Sequence, residues 1–105
     1  MGKRSITIGA VGRLVATNLV VRRGALGMTQ AQLSEAVSRE GRQIGRQAVA
    51  EIETLRRRVD VDDLSALAHV LETTTAYLMG EVSDPTRGTD EHQLLGGDRR
   101  RKLGR

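Results

Sequence analysis

The chain lacks the residues that build disulfide frameworks and aromatic cores. Its 105 residues include no cysteine, phenylalanine or tryptophan, and its single tyrosine is Tyr77. The absence of cysteine excludes a disulfide framework, a zinc site with thiolate ligands and a cysteine nucleophile. Without phenylalanine and tryptophan, the core must consist mainly of Leu, Val, Ile, Ala and Met, which favours packed helices over a β-sandwich.

Long apolar runs are also missing. A membrane-spanning helix needs roughly 18 or more consecutive apolar residues. The N-terminal apolar stretch, residues 14–21, is interrupted by Asn18 and flanked by Arg13 and Arg22. We therefore expect a soluble, cytoplasmic protein without a membrane partner.

Residues that could support catalysis or hold a cofactor are scarce. Neither His69 nor His92 has a second His, Cys or carboxylate at the spacing of metal ligands. Gly9 and Gly12 lack the third glycine and the preceding strand of a dinucleotide-binding fingerprint, and no phosphate-loop lysine is present. The sequence therefore predicts no enzyme, no metal site and no cofactor.

Charge is distributed unevenly along the chain. The 17 Lys and Arg residues exceed the 13 Asp and Glu residues, which gives a formal net charge of +4. Residues 1–26 carry five basic side chains and no acid, whereas residues 59–80 carry four acids and neither Lys nor Arg. Unless this separation arose by chance, it predicts a basic side that suits a polyanionic partner.

Hydrophobic spacing is helical between residues 10 and 80, and five short helices are predicted there. Gly27 and Gly41 end the first two helices, Thr29 caps the second, Gly45 starts the third, Asp60 or Val61 starts the fourth and Thr74 caps the fifth. The predicted inward faces are Val11, Leu14, Val15, Leu19 and Leu26 in the first helix, Leu33, Ala36 and Val37 in the second, Val49 and Ile52 in the third, and Val61, Leu64, Leu67, Ala68 and Leu71 in the fourth.

Composition divides the chain into three parts. Residues 10–80 are predicted to form one compact, all-α, five-helix domain. Residues 1–9, with Lys3 and Arg4, are predicted to be a flexible basic arm. Residues 81–105 are polar and broken by glycines, and are predicted to be a disordered tail.

Four segments in this order resemble the Cro/repressor (Xre) type helix-turn-helix proteins. Residues 28–36, Met-Thr-Gln-Ala-Gln-Leu-Ser-Glu-Ala, resemble the opening of that family's second helix. Residues 46–53, Arg-Gln-Ala-Val-Ala-Glu-Ile-Glu, resemble its third helix. Residues 15–19 with Arg23 are similar to its first helix, and residues 57–64 to an opening of the fourth helix that is common in actinobacterial members.

The resemblance covers about residues 11 to 80 and implies a lambda-repressor-like domain, with the helix-turn-helix at helices 2 and 3. It implies a sequence-specific regulator of transcription, a repressor, that binds double-stranded DNA as a homodimer and is associated with the nucleoid. It also implies an ion pair between Arg23 and Glu53 that ties the third helix to the first.

Two features depart from the family pattern. The turn between the second and third helices, residues 38–44, is longer than the usual three or four residues. The helices can still cross as usual if the second runs through Arg39 and the loop doubles back after Gly41. Thr54 and Leu55 stand where the family has a glycine, so the third helix could be a turn longer.

The first residues of the third helix are candidates for reading DNA bases. A helix fits the major groove, and the side chains at its N-terminal end reach the base edges. Arg46 suits guanine and Gln47 suits adenine, although either side chain could bind phosphate instead. Glu51 lies one turn further on, where it could accept a hydrogen bond from cytosine, repel phosphates or pair with Gln47.

Basic and polar residues around the third helix are candidates for binding phosphate. Gln30 begins the second helix, whose N-terminal N–H groups also attract anions, but it could simply be solvated. The arginines that follow the third helix could instead be neutralised by nearby acids, Asp60 and Asp62. The predicted phosphate contacts are Thr29, Gln30, Arg42, Arg56, Arg57 and Arg58.

The dimer surface and a second class of function depend on the C-terminal part of the chain. We expect the homodimer to form through the fifth helix, with Tyr77, Leu78 and Met79 exposed, together with the tail. The alternative function is an antitoxin-like protein-interaction module, whose tail from Glu81 folds on a partner protein.

Overall fold

Five α-helices make up the described part of the chain. The computed structural model describes residues 6–86, and that part contains no strand. The predicted all-α, five-helix architecture is therefore confirmed. The helices are α1 (Ala10–Ala25), α2 (Gln30–Arg39), α3 (Arg46–Glu53), α4 (Val61–Val70) and α5 (Thr75–Leu78).

Side-chain caps fix where three of the helices begin. Thr29 Oγ1 accepts a hydrogen bond from the Gln32 backbone N–H at 3.0 Å, and Gln32 Oε1 accepts one from the Thr29 N–H at 2.9 Å. Asp60 Oδ1 accepts from the Asp63 N–H at 2.7 Å, and Thr74 caps α5 in the same way. Each cap satisfies an N–H group that has no partner inside its helix. The predicted starts of α2, α4 and α5 are confirmed.

Residues in the left-handed backbone conformation follow all five helices, and the one after α5 is Gly80, at φ +82°. Gly27 and Gly41, at φ +68° and +92°, follow α1 and α2 as predicted. Leu55 and Glu72, at φ 66° and 55°, follow α3 and α4, although L side chains rarely adopt this conformation. The third helix is therefore not a turn longer: it ends at Glu53, and Leu55 takes the conformation that a glycine would take.

The core lies where the helices meet, and it includes the fifth helix. α5 packs against both α1 and α4. Tyr77 and Leu78 are consequently only 6% and 0% exposed, so the prediction of an exposed surface at these residues was wrong. The fully buried large side chains are Leu19, Leu33, Ile44, Ile52, Leu67, Leu71, Leu78, Val37 and Val49.

Three residues that were predicted to face inward are exposed. Val11 is 52%, Leu14 43% and Val61 79% exposed. Val11 and Val61 lie in the first turns of α1 and α4, and Leu14 lies against Gly80, the residue after the α5 C-cap, outside the core cluster. Helical spacing identifies a face, but it does not show how far along that face the neighbouring helices extend.

Two polar side chains of α1 hold the ends of α4 and α5. Arg22 is 9% exposed and donates to the carbonyl oxygens of Leu71 at 2.8 Å and Glu72 at 3.2 Å. Asn18 donates through Nδ2 to the carbonyl oxygens of residues 77 and 78, at 3.0 and 3.2 Å. These bonds satisfy carbonyl groups at helix ends, where intrahelical partners are missing.

The N-terminal residues that the structure describes lie against the helical domain. Arg58 Nη2 donates to the Thr7 carbonyl oxygen at 3.0 Å. Residues 6–9 are thus connected to the segment between α3 and α4. The rest of the predicted arm, residues 1–5, lies outside the described residues.

The folded unit also continues past the predicted boundary at residue 80. Val82 packs against the core cluster, and Thr73 Oγ1 donates to the Pro85 carbonyl oxygen. Residues 81–86 therefore contact the domain. The remainder of the predicted tail, residues 87–105, lies outside the described residues, so the tail and the antitoxin-like alternative that depends on it stay predictions.

Candidate nucleic-acid interface

Helix α3 has one buried face and one open face. Val49 and Ile52 are 0% and 2% exposed and anchor the helix in the core. Arg46 and Gln47, in its first turn, are exposed. Gly45 stands at the N-cap and offers no side-chain bond to the first N–H groups, which leaves them to solvent or to a ligand.

Helices α2 and α3 pack directly on each other despite the long loop between them. α2 runs through Arg39 and the chain reverses at Gly41, as the sequence analysis anticipated. Ser34 Oγ donates to the Ile44 carbonyl oxygen at 2.7 Å, which fastens the end of the loop to α2. The start of α3 is therefore held in a defined position relative to the start of α2.

Arg23 of α1 and Glu53 of α3 form a bidentate ion pair. Arg23 Nε lies 2.7 Å from Glu53 Oε2, and Arg23 Nη2 lies 3.0 Å from Oε1. The remaining nitrogen, Nη1, donates to the Met28 carbonyl oxygen at 2.9 Å. The Glu53 side chain is only 7% exposed, so this pair joins α1, α3 and the segment before α2 inside the protein.

Gln30 and Thr29, two predicted phosphate contacts, both have partners within the protein. Gln30 Nε2 donates to Glu53 Oε1 at 2.8 Å, which uses one of its two amide hydrogens. The Thr29 hydroxyl oxygen accepts the cap bond described above. One amide hydrogen of Gln30 therefore remains for a phosphate oxygen.

Gln47 and Glu51 lie next to each other on α3. Gln47 Nε2 donates to Glu51 Oε2 at 3.4 Å, and Glu51 is half-buried. Residues four positions apart face the same side of a helix. The two side chains thus form the pair that was one of the three alternatives for Glu51.

Arg42, in the loop before α3, is bound to acidic side chains at the start of α4. Its Nε and Nη2 lie 3.0 and 2.8 Å from Asp63 Oδ1, and Nη2 lies 3.3 Å from Asp60 Oδ2. The hydrogen bonds to Asp63 raise the pKa of Arg42, and the negative charges of Asp60 and Asp62 contribute to the same effect. A guanidinium has five N–H donors, so Arg42 can bind a phosphate only with those that the carboxylates leave.

The structure does not bring the three arginines after α3 to one place. Arg56 is exposed, Arg57 Nη2 lies 3.6 Å from Asp63 Oδ2, and Arg58 binds the Thr7 carbonyl oxygen as described above. Of these three arginines, only Arg56 has no ion pair or side-chain hydrogen bond with another of the residues 6–86.

Asp63 is a structural residue that the sequence analysis did not single out. It is 3% exposed and binds both Arg42 and Arg57. In the sequence Asp62 and Asp63 look alike, because both are acids that suit the start of a helix. The four-residue spacing between Asp63 and buried Leu67 is the signal that could have separated them, because it places Asp63 on the inward face.

Residues 6–86 contain neither a candidate membrane-spanning helix nor a candidate metal site. No helix there is long and apolar enough to span a bilayer. No group of three or more His, Cys, Asp or Glu side chains there could hold a metal ion.

Comparison with known families agrees with the arrangement of α2 and α3. A family model described as helix-turn-helix matches residues 21–78, more than half of the chain. No curated protein and no solved structure shows significant similarity. The matched segment extends from the last turns of α1 to the end of α5 and so includes both helices of the motif. The chain therefore belongs to the Cro/C1-type helix-turn-helix family of DNA-binding regulators.

Proposed function

We propose that the protein is a sequence-specific regulator of transcription, a repressor, that reads the major groove of double-stranded DNA with α3. The observation that carries this proposal is the exposure of Arg46 and Gln47 at the start of α3, while Val49 and Ile52 anchor its opposite face. The residues at the N-terminal end of such a helix reach the base edges when the helix enters the groove.

Each exposed side chain has a preferred base. The Arg46 guanidinium pairs with O6 and N7 of guanine, and the Gln47 amide pairs with N6 and N7 of adenine. Glu51 accepts from Gln47 without DNA, and it accepts from cytosine N4 once Gln47 has turned to its base. The pairing of Gln47 with Glu51 is long enough, at 3.4 Å, to be exchanged readily for a base contact.

Phosphate contacts position the helix without reading sequence. The start of α2 supplies unpaired N–H groups and the free amide hydrogen of Gln30. Arg56 supplies a guanidinium without an acidic partner among residues 6–86, whereas Thr29, Arg42, Arg57 and Arg58 contribute with the donors that their internal partners leave. The proposed repression follows where the operator overlaps a promoter, because the bound protein then excludes polymerase from the same DNA.

A homodimer would give the protein its specificity. One α3 offers three base-contacting side chains, which can specify only a few base pairs. Two copies related by a two-fold axis place two such helices in successive major grooves, about 34 Å apart. The protein then recognises a palindrome, with half-sites separated by about one helical turn.

Selection of bound sequences from random duplexes tests this proposal. The full chain is incubated with the duplex pool at about 0.15 M salt, where nonspecific electrostatic binding is weakened. We expect enrichment of a palindrome with half-sites centred about 10 base pairs apart. A bound pool with no enriched sequence contradicts specific recognition, and an enriched asymmetric site contradicts the homodimer.

A further inference from the structure

An apolar groove lies on the surface between the first turns of α1, the segment that follows α3, and the first turn of α4. Its volume is about 320 Å³. Charged side chains, Arg57, Arg58 and Asp60, lie among its lining residues. Its apolar walls include Ile8, Val11, Leu55, Val59, Val61 and Met79.

The edge of this groove carries the most exposed large apolar side chain of the described residues. Val61, the first residue of α4, is 79% exposed, and Val11, another lining residue, is 52% exposed. Isolated exposed valines are ordinary on protein surfaces, but a projecting valine beside an apolar groove forms a continuous apolar patch. The same patch thus contains both a projection and a groove that could receive one.

Opposite charges flank the patch. Arg58 borders the groove, and Asp62 follows Val61 at the start of α4; both are exposed. Asp62 forms no ion pair within residues 6–86. An isologous two-fold interface needs a patch that faces itself, and this patch offers both a projection with a groove and an acid with a base.

We propose that a second copy of this chain docks on this patch. Val61 of each copy enters the groove of the other. Arg58 of each copy faces Asp62 of the other with part of its guanidinium, which leaves other N–H donors of that group for phosphate. The dimer is isologous, with the groove residues forming its apolar centre and the charged residues its rim.

The position of the patch agrees with the proposed DNA recognition, on which the role of this dimer rests. The groove is lined by Ile52 near the end of α3 and by Leu55 after it, and does not include Arg46 or Gln47. With a rise of about 1.5 Å per residue, α3 separates its two ends by roughly 10 Å. The dimer therefore leaves the base-reading end of each α3 open.

The test is the oligomeric state of the full chain and of three lysine variants, measured by sedimentation equilibrium over a concentration series. Val61→Lys changes the projection, Val11→Lys changes the groove wall, and Val21→Lys is the matched control. Val21 lies on α1 like Val11, is 55% exposed and does not line the groove. Circular dichroism confirms that each variant is folded.

We expect the wild type and Val21→Lys to reach twice the monomer mass. The dimer dissociation constant of Val61→Lys and Val11→Lys should rise about tenfold or more, because each places a charged ammonium in a contact that the wild type makes with apolar side chains. A wild type that stays monomeric, or groove variants that associate like the wild type, would overturn the proposal.

DNA binding separates this proposal from the proposed function. Val61→Lys should bind a duplex with one half-site as the wild type does, and should lose cooperative binding to the full palindrome. If the wild type dimerises through the groove but selects no DNA sequence, the proposed function fails and the interface stands. If it selects a palindrome and the groove variants bind that palindrome with undiminished cooperativity, the interface fails and the proposed function stands.

Discussion

At the scale of single residues, Glu53 joins α3 to side chains of α1 and α2. Its two carboxylate oxygens accept from two nitrogens of Arg23 and from the amide of Gln30. The side chain is 7% exposed, so these bonds are made largely out of water. A buried pair of this kind adds little net stability, but the loss of one partner leaves the other charge uncompensated.

Replacement of Glu53 should therefore destabilise the protein more than replacement of the whole pair. We expect Glu53→Ala to lower the free energy of unfolding by about 3–5 kcal/mol. The double variant with Arg23→Leu should lose clearly less, because no charge is stranded. Urea denaturation measures both, and equal losses would show that the pair does not act as a unit.

Glu72 offers a second test at this scale, because its backbone is left-handed at φ 55°. Its side chain is exposed, and its only hydrogen bond to a side chain within residues 6–86 uses the carbonyl oxygen, which accepts from Arg22. Glycine relieves the left-handed strain, although it adds freedom to the unfolded chain.

We expect Glu72→Gly to raise the free energy of unfolding by about 0.5–1 kcal/mol, as the balance of those two effects. Leu55→Gly is the matched comparison, because Leu55 has a similar φ but is half-buried and lines the apolar groove. Leu55→Gly should not raise the free energy of unfolding, since the lost packing of the leucine side chain offsets the relieved strain. Denaturation curves showing that Glu72→Gly is no more stable than the wild type would contradict this account.

At the scale of the elements, Asp63 connects the loop before α3 and the segment after it to the start of α4. Its carboxylate binds Arg42 from the first segment and Arg57 from the second. Both ends of α3 are thus tied to one buried acid. Asp62 next to it is exposed and forms no ion pair within the described residues.

Neutralisation of these two neighbours should consequently have different effects. We expect Asp63→Asn to lower the free energy of unfolding by about 1.5–3 kcal/mol, the usual size of charge-assisted hydrogen bonds. Asp62→Asn should change it by less than about 0.5 kcal/mol, as exposed substitutions usually do. Thermal or urea denaturation of the two variants provides the comparison, and similar values would refute the role given to Asp63.

The sequence was sufficient to predict the elements where a local signal decides the structure. Thr29, Asp60 and Thr74 cap helices because their oxygens reach N–H groups three residues ahead, which needs no tertiary information. α5 has only four residues, too few for a period to define its inward face, so the burial of Tyr77 was missed. Val61 was misplaced because helical spacing alone does not show whether a neighbouring element covers the first residue of a helix, and Val61 is 79% exposed.

The candidate site likewise has features that the sequence predicts and features that only the folded chain shows. The outward direction of Gln47 follows from the helical spacing of Val49 and Ile52, and the sequence predicted it. Arg46, three residues before Val49, is exposed as the first residue of α3. The partners of Gln30 and Arg42 lie 23 and 21 residues away, so only the folded chain shows that these side chains are already engaged.

At the scale of the whole molecule, the basic charge should make DNA binding sensitive to salt. If each monomer neutralises about four to six phosphates, the logarithm of affinity should fall against the logarithm of salt with a slope near −0.9 per phosphate. Binding titrations between about 0.05 and 0.2 M salt measure this slope. A flat response would point to a protein partner in place of DNA.

The central claim is that the first turn of α3 reads base pairs, and the most direct measurement is the sequence preference of Arg46→Ala and Gln47→Ala. Each variant should lose about 1–3 kcal/mol on the selected site and relax the preference at one base pair. Gln30→Ala should weaken binding to all sequences alike. Arg39→Ala, at the opposite end of α2, should change neither the affinity for DNA nor the sequence preference. Unaltered preferences in both α3 variants would contradict the claim.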